Sequence, residues 1–275
     1  MRNLDVAEAS ASDRPWIEGR PRTAPMADRL RWFKSHYDNA ATEIINFIED
    51  AELSLDARRV LDIGCGDGAI DLGLCLKSRP ARLLGMDLLP TDVEDLVARA
   101  QAAGLGDLPK NLEFGTCTPT EIPVPDCSMD VVISWSVFEH VSNPVAVLSE
   151  LRRIIRPGGF MFLQIWPLFH SQHGSHLWFW YPEGWVQHLS DSRDVETNVR
   201  AIGQQSDDVI DEMMTDFNTL NRLTVGELQR ALSATGFRIR RIHLQSDLIE
   251  GPKELSHRLV TDLAISGVKL IAIPE

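Results

Sequence analysis

No stretch of this 275-residue chain is apolar enough to span a bilayer as a helix. Such a span needs roughly 18 or more apolar residues in succession. The longest candidates, Val131–Phe138 and Phe160–Phe169, are shorter and read as buried strands. Cysteine is scarce: Cys65, Cys75, Cys117 and Cys127 are the four, and no two form a C-x-x-C pair. That excludes a disulfide scaffold and argues against structural zinc, so reduced thiols in a cytoplasmic protein are expected. Basic residues are short as well: 27 Lys and Arg stand against 40 Asp and Glu, a net charge of −13. This charge repels phosphate backbones and anionic lipid, so neither nucleic acid nor a membrane is the expected partner. Residues 1–15 are Ala- and Ser-rich and lack the basic-then-apolar order of a signal peptide.

What is present fits an ordinary globular chain, 44% hydrophobic and 24% charged. The length suits one large α/β domain with an insert. Residues 1–57 read as a polar lead-in followed by a helical segment from Asp28, with Leu30, Phe33, Tyr37, Ile44, Phe47 and Ile48 at helical spacing. Residues 58–165 alternate between short β-rich runs and helical runs. Strands are expected at Arg59–Ile63, Arg82–Met86, Asn111–Phe114, Asp130–Ser134 and Phe160–Ile165, and helices at Ala69–Lys77, Asp92–Ala103 and Pro144–Ile155. Such alternation implies βαβ units and a parallel sheet, with ligands at the carboxyl ends of the strands. Residues 166–221 show no period and read as an inserted cap. Residues 222–275 resume the rhythm with a helix at Thr224–Thr235 and strands at Phe237–Leu244 and Val268–Ile273.

Chemistry concentrates at the first strand–turn–helix. Gly64-Cys65-Gly66-Asp67-Gly68 follows a strand and opens a helix. Missing side chains let backbone approach a ligand, and the helix start offers free N–H donors. The spacing is G-x-G-x-G and not the dinucleotide G-x-G-x-x-G. Asp62, just before the turn, would repel a pyrophosphate but can pair with an amine. Asp87, at the end of the next strand, can accept from two ribose hydroxyls. A nucleoside carrying an amino acid and no phosphate matches this set. The bland alternative makes Asp62 and Asp87 caps of the helices that follow them.

In Val60-Leu61-Asp62-Ile63-Gly64-Cys65-Gly66-Asp67-Gly68 the chain resembles the first motif of the class I S-adenosylmethionine-dependent methyltransferases. Leu83 to Asp87, Pro125 to Val132 and Arg152 to Gly159 resemble three further motifs of that family, in order. The resemblance implies a Rossmann-like seven-stranded sheet with helices on both faces, the last strand antiparallel, plus the inserted cap. It implies that Gly64 and Gly66, with Cys65 between them, face the methionine part of S-adenosyl-L-methionine. Asp87 would then hold the ribose and Leu88 pack on adenine. Where many members carry Gly-Asp-Ala after the third strand, this chain has Gly115-Thr116-Cys117, so Thr116 and Cys117 become the adenine-edge candidates. Ser134, at the end of the fourth strand, joins the cofactor set.

In that family the segment Ser134 to Val141 borders the methyl acceptor. Glu139 and His140 are therefore the catalytic candidates, with an imidazole whose ordinary pKa suits proton removal near neutrality. Some O-methyltransferases of ubiquinone synthesis and of RNA 3′ ends carry Glu-x-x-Glu-His here and bind a divalent cation. This chain has Ser136-x-x-Glu139-His140, which keeps Glu139 and His140 as candidate Mg²⁺ ligands and leaves a downstream His to replace the missing carboxylate. Further on, His170, His173 and His176 recur at intervals of three, followed by Trp178 and Trp180. Aromatic and polar side chains together suit a sugar ring or planar acceptor, and a lid or homodimer contact is the alternative. No Lys or Arg lies between Pro157 and Ser192, against a phosphate-rich substrate in this pocket. The expected reaction is O-methylation of a small molecule, first a sugar or polyol. A quinone, phenol or lipid acceptor, methylated on carbon or oxygen, is the alternative, and a non-catalytic cofactor-binding partner protein the remote one.

Overall fold

The computed structural model describes residues 26–247 and 251–275. The expected lead-in at residues 1–27 falls almost wholly outside them. The chain enters along α1 (Met26–Lys34), a π-helical stretch (Ser35–Ala40) and α2 (Ala41–Glu49). Then β1 (Arg59–Ile63), α3 (Ala69–Lys77), β2 (Arg82–Asp87), α4 (Val93–Ala102), β3 (Leu112–Thr116), β4 (Met129–Trp135) and α5 (Pro144–Ile154) lead into β5 (Ile155–Ile165). After the cap come α9 (Val225–Ala234), β6 (Phe237–Ser246), α10 (Val260–Ala264) and β7 (Ile265–Pro274). The seven strands form one sheet in the order β3-β2-β1-β4-β5-β7-β6. β7 is antiparallel to both neighbours, and the other pairs are parallel.

Strand alternation sorts the core into two layers. Leu61, Ile63, Leu84, Met86, Val132, Met161 and Leu270 pack under α5 and α9. Val60, Leu83, Val131, Ile133, Phe162 and Ile271 pack under α2 and α3 on the opposite face. Both layers are closed, which is why the central strands are buried along their length. α5 starts where Asn143 accepts from Ala146 N–H and Pro144 opens the first turn. α3 passes close to the π-helical stretch because Gly73 has no side chain to strike the Tyr37 carbonyl.

Two expectations are corrected. The cap is largely helical, with α6 (Val186–Leu189), α7 (Ser192–Ile202) and α8 (Asp207–Thr219). Its apolar stripe is thin: Val195 and Val199 on α7 meet Ile210, Met214 and Phe217 on α8 in a small core of their own. Polar residues on every other face hid that period. The Pro157-Gly158-Gly159 run, outside the expected strand Phe160–Ile165, also lies within β5. It is a bulge inside β5, marked by a register shift against β4 and by Gly158 at φ +79°.

Candidate functional site

The glycine turn runs from the end of β1 into α3. Gly64, Gly66 and Gly68 have φ of +80°, +54° and +74°, conformations that disfavour a side chain. The N–H groups of Gly64 and Cys65 donate to the Met86 carbonyl at 2.7 and 3.2 Å, tying the turn to β2. Asp87 fastens it from the other side. Its Oδ2 accepts from Gly66 N–H at 2.9 Å and its Oδ1 from Leu88 N–H at 2.7 Å. Oδ1 also accepts from Leu89 N–H at 3.4 Å, and Oδ2 keeps a second lone pair for a ligand hydroxyl. A Cβ on Gly66 would meet nothing, so that backbone stands open to an approaching molecule, whereas one on Gly64 would overlap Val137 and one on Gly68 would meet Phe114.

Neither carboxylate caps a helix. Asp67 Oδ1 accepts the first free N–H of α3, from Ala69, at 3.0 Å, and Asp92 caps α4 through Asp95 N–H. Asp62 is 3% exposed and no donor of the described residues reaches its Oδ1. Burial lifts its pKa to about 7. A buried carboxyl beside an open glycine turn fits an ammonium group, and Asp87 fits a diol. The donor set therefore suits S-adenosyl-L-methionine. A cavity of about 460 Å³ opens over Gly66 and Asp87, in the size range of small-molecule sites. Arg29, Leu89, Glu212 and Asp216 wall it, so the entry helix and α8 of the cap both reach this edge.

Leu88 is 56% exposed beside that opening, and Thr116 is the register partner of Asp87. Cys117 donates its N–H to the Asp87 carbonyl at 2.9 Å and packs half-buried against the core. The Ser134 hydroxyl is fully buried and donates to the Ile63 carbonyl at 3.1 Å, so it joins β4 to β1. Burial, with the charges of Asp71 and Asp62 added, drives the Cys65 thiol far above its ordinary pKa. It is a packing group and no nucleophile.

Beyond β4 the chain turns at Ser136, at φ +51°, where Gln164 Oε1 accepts from Ser136 N–H at 2.9 Å and Oγ–H at 2.8 Å. A single 3₁₀ turn (Phe138–His140) follows, with Phe138 as a fully buried anchor. Asn221, at the end of the cap, clamps this turn. Its N–H donates to the Glu139 carbonyl and its Nδ2 to the Val141 carbonyl, both at 2.8 Å. Nothing local in the chain marks that contact, which bridges about 80 residues.

The structure separates the three spaced histidines. Residues 168–181 coil through turns, with Gly174 pressed on the Phe169 carbonyl, so equal spacing does not make one face. His176 reaches the 3₁₀ turn: its ring stands perpendicular to His140 with centroids 5.3 Å apart. Ligand atoms of Glu139, His140 and His176 all lie within 4.8 Å of one another. Trp178 continues this aromatic row, 5.9 Å from His176 and 6.0 Å from Trp166. His170 lies elsewhere. It stacks on His188 at 5.5 Å and its Nε2 donates to the Arg222 carbonyl. His173 is half-buried, and burial lowers the pKa of both. Trp180 is buried in the cap core and donates to the Gly203 carbonyl at 3.3 Å, a packing position away from the His140 group.

Residues 61–163 match a family model described as a methyltransferase domain. The match takes in the glycine turn, Asp87 and the turn with Glu139 and His140. It is similar to the ubiquinone biosynthesis O-methyltransferase of Cereibacter sphaeroides, 30% identical over 111 residues, which are 40% of this chain and 42% of that protein. The protein of the same name from Sinorhizobium fredii is 33% identical over 112 residues, 40% of this chain and 41% of that one. The chain thus spans about two fifths of the length of these relatives. A solved S-adenosylmethionine-dependent methyltransferase from Mesorhizobium loti shares the fold, with a TM-score of 0.51 and 17% identity over 86% of this chain and 99% of that one.

Proposed function

We propose that this protein transfers a methyl group from S-adenosyl-L-methionine to a hydroxyl of a small aromatic acceptor of the phenol or quinol type. The observation that carries this reading is the convergence of Glu139, His140 and His176 on the turn next to the glycine loop. When bound, S-adenosyl-L-methionine supplies a methyl group on a sulfonium, open to in-line displacement. The chain's part is to bind, orient and move one proton. Asp62 and Asp87 hold the two ends of the donor beside Gly66. His140 takes the proton from the attacking hydroxyl as its oxygen bonds to the methyl carbon. Glu139, buried within reach of both imidazoles, stabilises the imidazolium that forms. Orientation does most of the work in such a displacement. The Trp166–Trp178–His176 row offers flat faces to a planar acceptor. The names of the relatives support an aromatic hydroxyl over the sugar or polyol that the sequence favours.

The same three side chains support a second reading, a divalent cation that would lower the pKa of an acceptor hydroxyl. Two imidazoles and one carboxylate suit a borderline ion such as zinc better than Mg²⁺, which prefers oxygen ligands. The test is methyl transfer to catechols, hydroquinones and sugars, with and without excess EDTA. The proposal expects aromatic products that persist in EDTA. Loss in EDTA with recovery on added zinc would favour the cation, and products from sugars alone would overturn the acceptor class.

A further inference from the structure

Asp71 lies outside the machinery described so far, yet it is fully buried. On β1, Asp62 alternates with Leu61 and Ile63 and so faces the layer of Val60, under α3. Its register partner on β2 is Gly85, whose missing side chain leaves room: a Cβ there would collide with Asp71 Oδ2 and with Phe114. Asp71 descends from α3 into that space, which sets its carboxyl within reach of Asp62. No donor of the described residues reaches either Asp71 oxygen. Among the described residues, the other charged or titratable groups bearing on the pair are Asp67 and Cys65 from the turn, Asp87 from β2 and Cys75 from α3 itself, none of them a cation. Arg99 is engaged by Asp67 and Asp95.

Two carboxylates buried in contact without a cation cannot both be ionised. One must hold a proton. We propose that Asp71 holds it, donates it to Asp62, and so keeps the Asp62 carboxylate charged and aimed at the cofactor's ammonium group. Asp71 is thereby a positioning residue, and this role rests on the cofactor reading above. Burial first, and then the neighbouring Asp62 charge, push the Asp71 pKa well above the carboxylate range. Burial also lifts Asp62, but its hydrogen bond with Asp71 acts in the opposite direction, as expected of the accepting partner. Asp62 loses its charge as pH falls through about 7, so cofactor affinity weakens below that pH.

Difference infrared spectra of the ligand-free protein at pH 8 test the proton directly. The wild type should show a protonated-carboxyl C=O band that is missing in Asp71→Asn. Titration with S-adenosylhomocysteine across pH 5.5–9, a range set to bracket the Asp62 pKa of about 7, tests the consequence. Asp71→Asn, a neutral donor of the same shape, should bind like wild type. Asp71→Leu should bind about tenfold more weakly at pH 7 and move the pH midpoint upward, because the charged Asp62 has lost its donor. Circular dichroism checks that both variants fold, and if Asp71→Leu does not, the infrared comparison decides. No band difference, or an unmoved midpoint in folded Asp71→Leu, would overturn the proposal. A band without any binding to the wild type would overturn the cofactor reading instead.

Discussion

Replacing His140 by alanine should lower kcat by about 10²–10⁴-fold, the usual contribution of a positioned general base. Affinity for S-adenosylhomocysteine should change little. The 3₁₀ turn that carries His140 is held by backbone groups: His140 N–H donates to the Val137 carbonyl at 2.8 Å, and Asn221 binds the carbonyls around it. Alanine keeps all of these. The lost ring is half-buried and sits against His176, which can close over part of the space. The variant should therefore fold and bind cofactor while failing at the proton. Steady-state kinetics beside a calorimetric titration separates the two effects. Turnover within tenfold of wild type would remove His140 from the mechanism.

Gly64→Ala should weaken S-adenosylhomocysteine binding by about 100-fold, from two separable costs. An L-residue at φ +80° is strained by about 1–3 kcal/mol. The new methyl group also overlaps the Val137 side chain, and overpacking of this kind costs about 1–3 kcal/mol. Val137 immediately precedes the turn with Glu139 and His140, so relieving the overlap moves the proposed catalytic residues. The double variant Gly64→Ala/Val137→Ala should recover part of the affinity, because the clash is gone and the backbone strain stays. Full recovery would mean that conformation at Gly64 is unimportant. No recovery would mean that Val137 is not what the methyl group meets.

The sheet was readable because its signals are local. Short β-rich runs, the Asn143–Pro144 helix start and the helix at Ala69–Lys77 each sit within a dozen residues of sequence. The glycine turn was readable for the same reason. What escaped depends on distant partners. Asn221 is an ordinary polar residue until the cap folds back on residues 138–141. His176 looks equivalent to His170 and His173, and only the turn at Gly174 sends it to His140 while His170 goes to His188. Asp71 is one of many carboxylates in an acidic chain, and its meaning comes from Gly85 on another strand. The cap helices were missed because a small core needs few apolar residues, and Val195, Val199, Ile210 and Met214 are a sparse stripe.

The most direct test of the account is a calorimetric titration of the wild-type protein with S-adenosylhomocysteine at pH 8, repeated with Gly64→Ala. The account predicts one molecule bound per chain, with affinity sharply reduced in the variant. A parallel thermal scan should show stabilisation of about 2.7 kcal/mol at a ligand concentration 100 times Kd. No binding to the wild type, or equal binding to both proteins, would contradict the assignment of the glycine turn, Asp62 and Asp87 as the cofactor site.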